Sequence, residues 1–168
     1  MSRDRGLTLV ETLVVCGLFA LLLTMVVVIE TTQRRAQQQQ AAVSGNYRAA
    51  MVAVEHLRAE LQNARLVLAE GDLEANRLRY LRPRLLDGEV VVGQGGLAFE
   101  DTPRTIELRG ASLVRTNPDR KLAELGPSGG FELAVQGASG RLLRVTIRAG
   151  RESSGQPYEA LLDLRLRD

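Results

Sequence analysis

The sequence predicts an α+β chain in which one long amino-terminal helix, half membrane span and half amphipathic, packs on an antiparallel β-sheet. Three features predict it. Residues 12–29 form an uncharged, Leu- and Val-rich run of 18 residues. Apolar residues then recur at helical spacings of three and four, at Val43, Tyr47, Met51, Val54, Leu57, Leu61 and Ala64. Beyond Glu70 the period shortens, and brief alternating segments are separated by Gly and Pro.

The apolar run comes first. At about 1.5 Å per helical residue it reaches about 27 Å, enough to cross the hydrocarbon core of a bilayer. A helix apolar on every face needs lipid or a large protein around it, and 168 residues are one domain's worth of chain. Removal as an ordinary secretory signal would need small residues after the run, where Val28, Ile29, Glu30 and Thr31 stand instead. A lipoprotein signal would modify Cys16, but bulky Val15 precedes it. A plain signal anchor fits the run and leaves Glu11 unexplained. A carboxylate in hydrocarbon costs about 3 kcal/mol unless paired, which makes Glu11 a candidate functional residue. Gly17 would let the backbone of a neighbouring helix approach closely.

After Glu30 the sequence is polar but contains neither Pro nor Gly until Gly45, so the helix can continue out of the membrane through Arg34, Arg35 and four consecutive glutamines. The apolar stripe carries it to about Leu68, roughly 90 Å from Leu7 if unbroken. His56, beside the stripe, is expected at its boundary or facing solvent. Strands are then expected over 78–82, ended by Pro83, and over 89–92 and 97–100 around Gly93-Gln94-Gly95-Gly96. Those glycines lack the spacing of a dinucleotide fingerprint or a P-loop and read as a hairpin or loose turn. Residues 105–108 and 112–114 make a further pair, and 117–130, with Pro118 and Pro127, is expected as loop. Segments 131–135 and 142–147 flank Gly137-Ala138-Ser139-Gly140, and 153–157 is a surface loop. Leu162, Leu164 and Leu166 alternate with Asp163, Arg165 and Arg167 as a half-buried strand should.

Composition narrows the function. The net charge is +2, Lys121 is the sole lysine, and the arginines are interspersed with Asp and Glu. Such mixing makes a solvated surface more readily than a phosphate-binding stripe. Cys16 and His56 are the only residues of their kinds, which excludes an intramolecular disulfide and a Cys/His zinc cluster within one chain. Ser128, Ser139, Ser153 and Ser154 have no second histidine to choose among, and Asp87, Glu89, Asp101 and Asp119 show no acid–base or calcium-loop spacing. No catalytic residue, metal or cofactor is expected.

The stretch Arg5-Gly6-Leu7-Thr8-Leu9-Val10-Glu11, followed directly by the apolar run, resembles the processing signal of type IV pilins and type II secretion pseudopilins. The resemblance implies a pilin-like version of the α+β fold. It implies cleavage after Gly6 by a prepilin peptidase, with Leu7 as the N-methylated terminus, and a Glu11 that neutralises the terminal amine of a neighbouring subunit. The organisation becomes a leader over 1–6, a transmembrane and assembly helix over 7–30, its amphipathic continuation over 31–68, and a β-rich globular part over 69–168. Leu7 stands where major pilins usually carry phenylalanine, and Val28 where many carry a helix-kinking proline; both departures favour a minor subunit. Residues 54–64, 76–80, 92–99 and 162–167 more loosely resemble PilW-like and J-type minor subunits.

The implied partners are the prepilin peptidase, other minor and major pilins or pseudopilins, inner-membrane lipid and the inner-membrane assembly platform. The implied location is the inner membrane, crossed once, with the carboxy-terminal part in the periplasm, and later a pilus or pseudopilus. The implied role is structural, in starting or capping the fibre. A DNA-binding competence-type minor pilin is an alternative if Arg141, Arg144, Arg148 and Arg151 share a face, and a simple membrane-anchored periplasmic interaction protein is another.

Overall fold

The computed structural model describes residues 9–93, 96–136, 142–150 and 157–165. Among the described residues a single helix, α1 (Leu9–Leu61), is followed by strands only. The chain divides into two compact units, Met1–Ala41 and Ala42–Asp168, and α1 contributes to both. In the first unit the described residues are all helical and all exposed. The architecture is α+β, with one long amino-terminal helix and antiparallel sheet, as in pilins.

In the second unit the strands form two main sheets. The first has the order β1 (Arg65–Leu66), β2 (Leu78–Leu81), β7 (Arg104–Arg109), β8 (Ser112–Thr116), β9 (Arg120–Glu124). The second has the order β10 (Gly130–Gln136), β11 (Leu142–Ala149), β12 (Tyr158–Arg165). Two small hairpins, β3 (Leu85–Leu86) with β4 (Glu89–Val90) and β5 (Val92–Gly93) with β6 (Gly96–Leu97), complete the set. All pairings are antiparallel. The expected strand pairs 105–108 with 112–114, and 131–135 with 142–147, are present within β7–β8 and β10–β11. The expected turn at 137–140, the loop at 153–156, and Leu166 and Arg167 lie outside the described residues.

Alternation builds the core. On β11, Leu143, Val145, Ile147 and Ala149 are buried while Arg144, Thr146 and Arg148 face outward. Leu78 and Tyr80 of β2, Ile106 of β7, Leu113 of β8, and Phe131 and Leu133 of β10 add to the same core. The helix closes it with Asn46, Ala50, Ala53, Leu57 and Glu60, spaced four, three, four and three residues apart. Leu57 is fully buried, worth about 2 kcal/mol of transfer free energy, while Ala50 and Ala53 let the helix axis lie close on the strands.

Three details differ from the sequence expectation. The buried face of the helix is rotated by about one residue from the apolar stripe, so that Val43 and Tyr47 are half exposed and Asn46 and Glu60 are buried. Tyr47 instead meets Tyr158 of β12 edge to face, with ring centroids 5.0 Å apart. The helix ends at Leu61 and not near Leu68. Asn63 adopts a left-handed conformation, φ 60°, and the Ala64 amide donates to the Leu61 carbonyl at 3.0 Å, which turns the chain into β1. Finally, the segment expected as loop over 117–130 contains β9. Its register slips between Leu113 and Val114 of β8, a bulge that leaves Leu122 as the extra residue and buries Leu122 and Ala123 in succession. The His56 Nδ1 meets the Leu122 carbonyl and ties α1 to this strand.

Candidate processing and assembly segment

The first functional candidates lie on the first unit of α1. Its apolar window has a mean hydropathy of 2.9, and none of it is buried by the chain itself. It is the one helix among the described residues long and apolar enough to cross a membrane. Three of its hydroxyls are satisfied within the helix. The Thr24 hydroxyl donates to the Ala20 carbonyl at 2.8 Å, and Thr31 and Thr32 both donate to the Val28 carbonyl, at 3.0 and 2.8 Å. Hydroxyls bonded back to the preceding turn can enter hydrocarbon at low cost. The first charged residue after the run, Glu30, is paired one turn on with Arg34 at 2.5 Å.

Of the sequence-predicted site residues, Gly6 and Leu7 lie outside the described residues. Glu11 stands exposed in the first turn of α1, where the positive end of the helix dipole favours a carboxylate. Gly17 is on the same helix but six residues on, so the two occupy different faces. A Cβ added at Gly17 would meet nothing within 4 Å beyond its own turn of helix, which leaves that face open to a neighbour. Ala20 and Thr24, three and seven residues further, extend that face with small side chains.

The second unit holds a polar set that residue patterns alone did not single out. Glu60 on the last turn of α1 is buried, and both its oxygens are used. Arg115 Nη1 of β8 donates to Oε1 at 2.5 Å, and the Tyr80 hydroxyl of β2 donates to Oε2 at 3.0 Å. Arg115 Nε also donates to the Pro118 carbonyl at 3.3 Å. Desolvation, with the Glu60 carboxylate as second cause, holds the Tyr80 phenol far above its usual range. This set joins the helix end to two strands, a structural duty. The only sequence signal for it is Glu60 standing three residues after Leu57 on the buried face.

The arginines considered for a nucleic-acid patch do not form one among the described residues. Arg144 and Arg148 share the outer face of β11, but Arg144 is paired with Asp163 at 2.8 Å, and Arg148 with Glu132 at 2.8 Å and Glu159 at 3.6 Å. The hydrogen bond between Arg144 and Asp163 raises the pKa of the guanidinium and lowers that of the carboxylate. Arg141 and Arg151 lie outside the described residues. No group of three or more His, Cys, Asp or Glu among the described residues could hold a metal ion.

Comparison with known proteins bears on the amino-terminal segment. Residues 1–27 match the prokaryotic N-terminal methylation motif. No curated protein and no solved structure matches the chain. The chain therefore carries a prepilin-type methylation and cleavage motif at the head of an exposed apolar helix, joined to a pilin-like α+β fold. A motif of this kind implies processing by prepilin peptidase and association with other pilin subunits. With the apolar helix, it accords with a single membrane anchor bearing a periplasmic domain.

Proposed function

We propose that the chain is a structural minor pilin or pseudopilin of the PilW-like or J-type kind, which takes part in initiating or capping a type IV pilus or a secretion pseudopilus. The observation that carries the reading is the methylation motif over residues 1–27 on a helix whose apolar window is wholly unburied by its own chain. Such a surface must be covered, by lipid before assembly and by the helices of neighbouring subunits afterwards.

In this reading residues 1–6 are the leader, cleavage follows Gly6, and Leu7 becomes the methylated terminus. Residues 7–30 are stored in the inner membrane and later packed in the fibre, and the β-rich part stays on the periplasmic side. Glu11 supplies register. A carboxylate within an apolar bundle favours the packing that brings a terminal amine of a neighbouring subunit beside it. Gly17 supplies a close approach for a neighbouring helix. The partners are the peptidase, the other subunits, and the assembly platform that moves them out of the membrane.

Fibres sheared from cells that make a tagged chain test this reading. The wild-type chain is expected in the fibre fraction at low abundance, and Gly6→Trp is expected to remain in the inner membrane with its leader attached. A chain that never leaves the membrane fraction in either form, or that enters fibres uncleaved, contradicts it.

A further inference from the structure

Beyond the apolar run the helix carries two adjacent arginines whose charge the chain itself does not balance. α1 continues unbroken through Arg34 and Arg35, and both are exposed. Arg34 is paired with Glu30, one turn back. Arg35 makes no hydrogen bond or ion pair with any described residue. Its helical neighbours three and four positions away are Thr31, Thr32, Gln38 and Gln39, none of them anionic. From Ala36 to Tyr47 there is no charge at all. The cluster therefore stands alone on the helix, and two arginines against one glutamate leave it a net charge of +1.

The depth of the pair follows from helix geometry. Centred in a hydrocarbon core of about 30 Å, a run of about 27 Å ends about 1.5 Å inside the boundary. The Cα atoms of Arg34 and Arg35 rise about 7.5 and 9 Å beyond Ile29, which puts them roughly 6–8 Å outside the hydrocarbon. That is the headgroup layer, about 5–8 Å deep on each side of a bilayer. The long arginine stems let the charged ends bend to the phosphates at that level. The two side chains diverge by about 100° around the axis, and the apolar window below them is unburied, so each faces a different lipid.

A phosphodiester is the anion that this layer supplies, and a guanidinium engages it through two parallel N–H donors. A second copy of this chain offers only Glu30 at the same depth, and that carboxylate is already engaged by Arg34. Anionic headgroups add an attraction that zwitterionic ones lack, worth about fivefold in affinity per arginine. We propose that Arg35, with Arg34 in support, binds the phosphates of anionic phospholipids at the carboxy-terminal end of the span. This rests on reading α1 as a membrane anchor. The contact makes the stored helix asymmetric. Moving it deeper would carry guanidiniums into hydrocarbon, whereas moving it outward breaks only the lipid contact at this end.

The test places the full chain in phosphatidylcholine nanodiscs that contain a phosphatidylglycerol probe with a photoactivatable group on its headgroup, and maps the labelled residues by mass spectrometry. Labelling is expected within residues 31–40, and a phosphatidylcholine probe of the same design is expected to label that segment several-fold less. Arg35→Gln is expected to cut the phosphatidylglycerol label there by about fivefold. Glu30→Gln, which releases Arg34, is expected to raise it. Arg48→Gln, which removes an exposed charge on the second unit, is expected to leave it unchanged. Equal labelling by the two probes, an unchanged label in Arg35→Gln, a fall in Glu30→Gln, or an equal fall in Arg48→Gln would each overturn the proposal. Failure of the chain to enter nanodiscs would instead overturn the membrane-anchor reading on which it rests.

Discussion

Replacing Glu60 by Ala is the sharpest perturbation of the second unit. The substitution leaves the Arg115 guanidinium, whose side chain is 7% exposed, charged and buried with no carboxylate, and it removes the acceptor of the Tyr80 hydroxyl. Removing one partner of a buried ion pair costs about 3–5 kcal/mol, most of it the desolvation of the orphaned charge. For a unit of this size that corresponds to a fall in Tm of about 10–20 °C. Thermal unfolding of the full-length chain in detergent, followed by the sheet signal in circular dichroism, reads it. The double variant Glu60→Leu with Arg115→Met removes both charges and is expected to regain most of the loss, because replacing a buried pair by apolar side chains of similar volume is often close to neutral. A Glu60→Ala chain melting within about 3 °C of wild type would refute the reasoning, since it would mean that Arg115 escapes to water or that the pair contributes nothing.

Other outcomes follow from the same geometry. Tyr80 ionises well above its ordinary value of 10.0 in the fold because burial and Glu60 oppose the phenolate. A raised folded pKa gives stability that is complete below the unfolded value and lost as pH climbs from it towards the folded value. Stability is therefore expected to fall from about pH 10 upward, and Tyr80→Phe to flatten that fall in urea titrations across alkaline pH. Glu11→Ala is expected to leave leader removal intact and to lower recovery in sheared fibres by about tenfold or more, measured by immunoblot; unchanged recovery would remove the charge-pairing role. At Gly17 an added Cβ meets nothing within 4 Å beyond its own turn of helix, so Gly17→Leu is expected to melt as wild type does while fibre recovery drops; equal recovery would show that no helix approaches that face.

The sequence made the plan of the fold legible because its periods are clean. An uncharged run of 18 residues, apolar on every face, announces α1, and alternation over 143–149 announces β11. The parts that escaped share a cause: tertiary contacts overrode local pattern. The largest apolar residues point to one helix face, but Ala50 and Ala53 take the centre of the buried face and Tyr47 lies half exposed. The helix end is not legible because Asn63 turns left-handed without a Gly or Pro to signal it. Strand β9 was missed because the bulge at Leu122 breaks its alternation and prolines flank it. In the candidate segment, Glu11 at the head of the uniform run and Gly17 within it are visible as exceptions. Glu60 was not, since a glutamate on a charged amphipathic helix looks like any solvated one until Arg115 and Tyr80 arrive from strands 55 and 20 residues away.

If the amino-terminal helix is a stored assembly element that processing releases, the mature terminus of the chain records it. Mass spectrometry of the chain purified from membranes of cells with an active prepilin peptidase, and from cells lacking it, reads that terminus. A mature chain beginning at N-methylated Leu7 is expected in the first case and a chain retaining residues 1–6 in the second. A terminus at Met1 or Ser2 in both, or a cut beyond residue 29 that discards the apolar run, would contradict it.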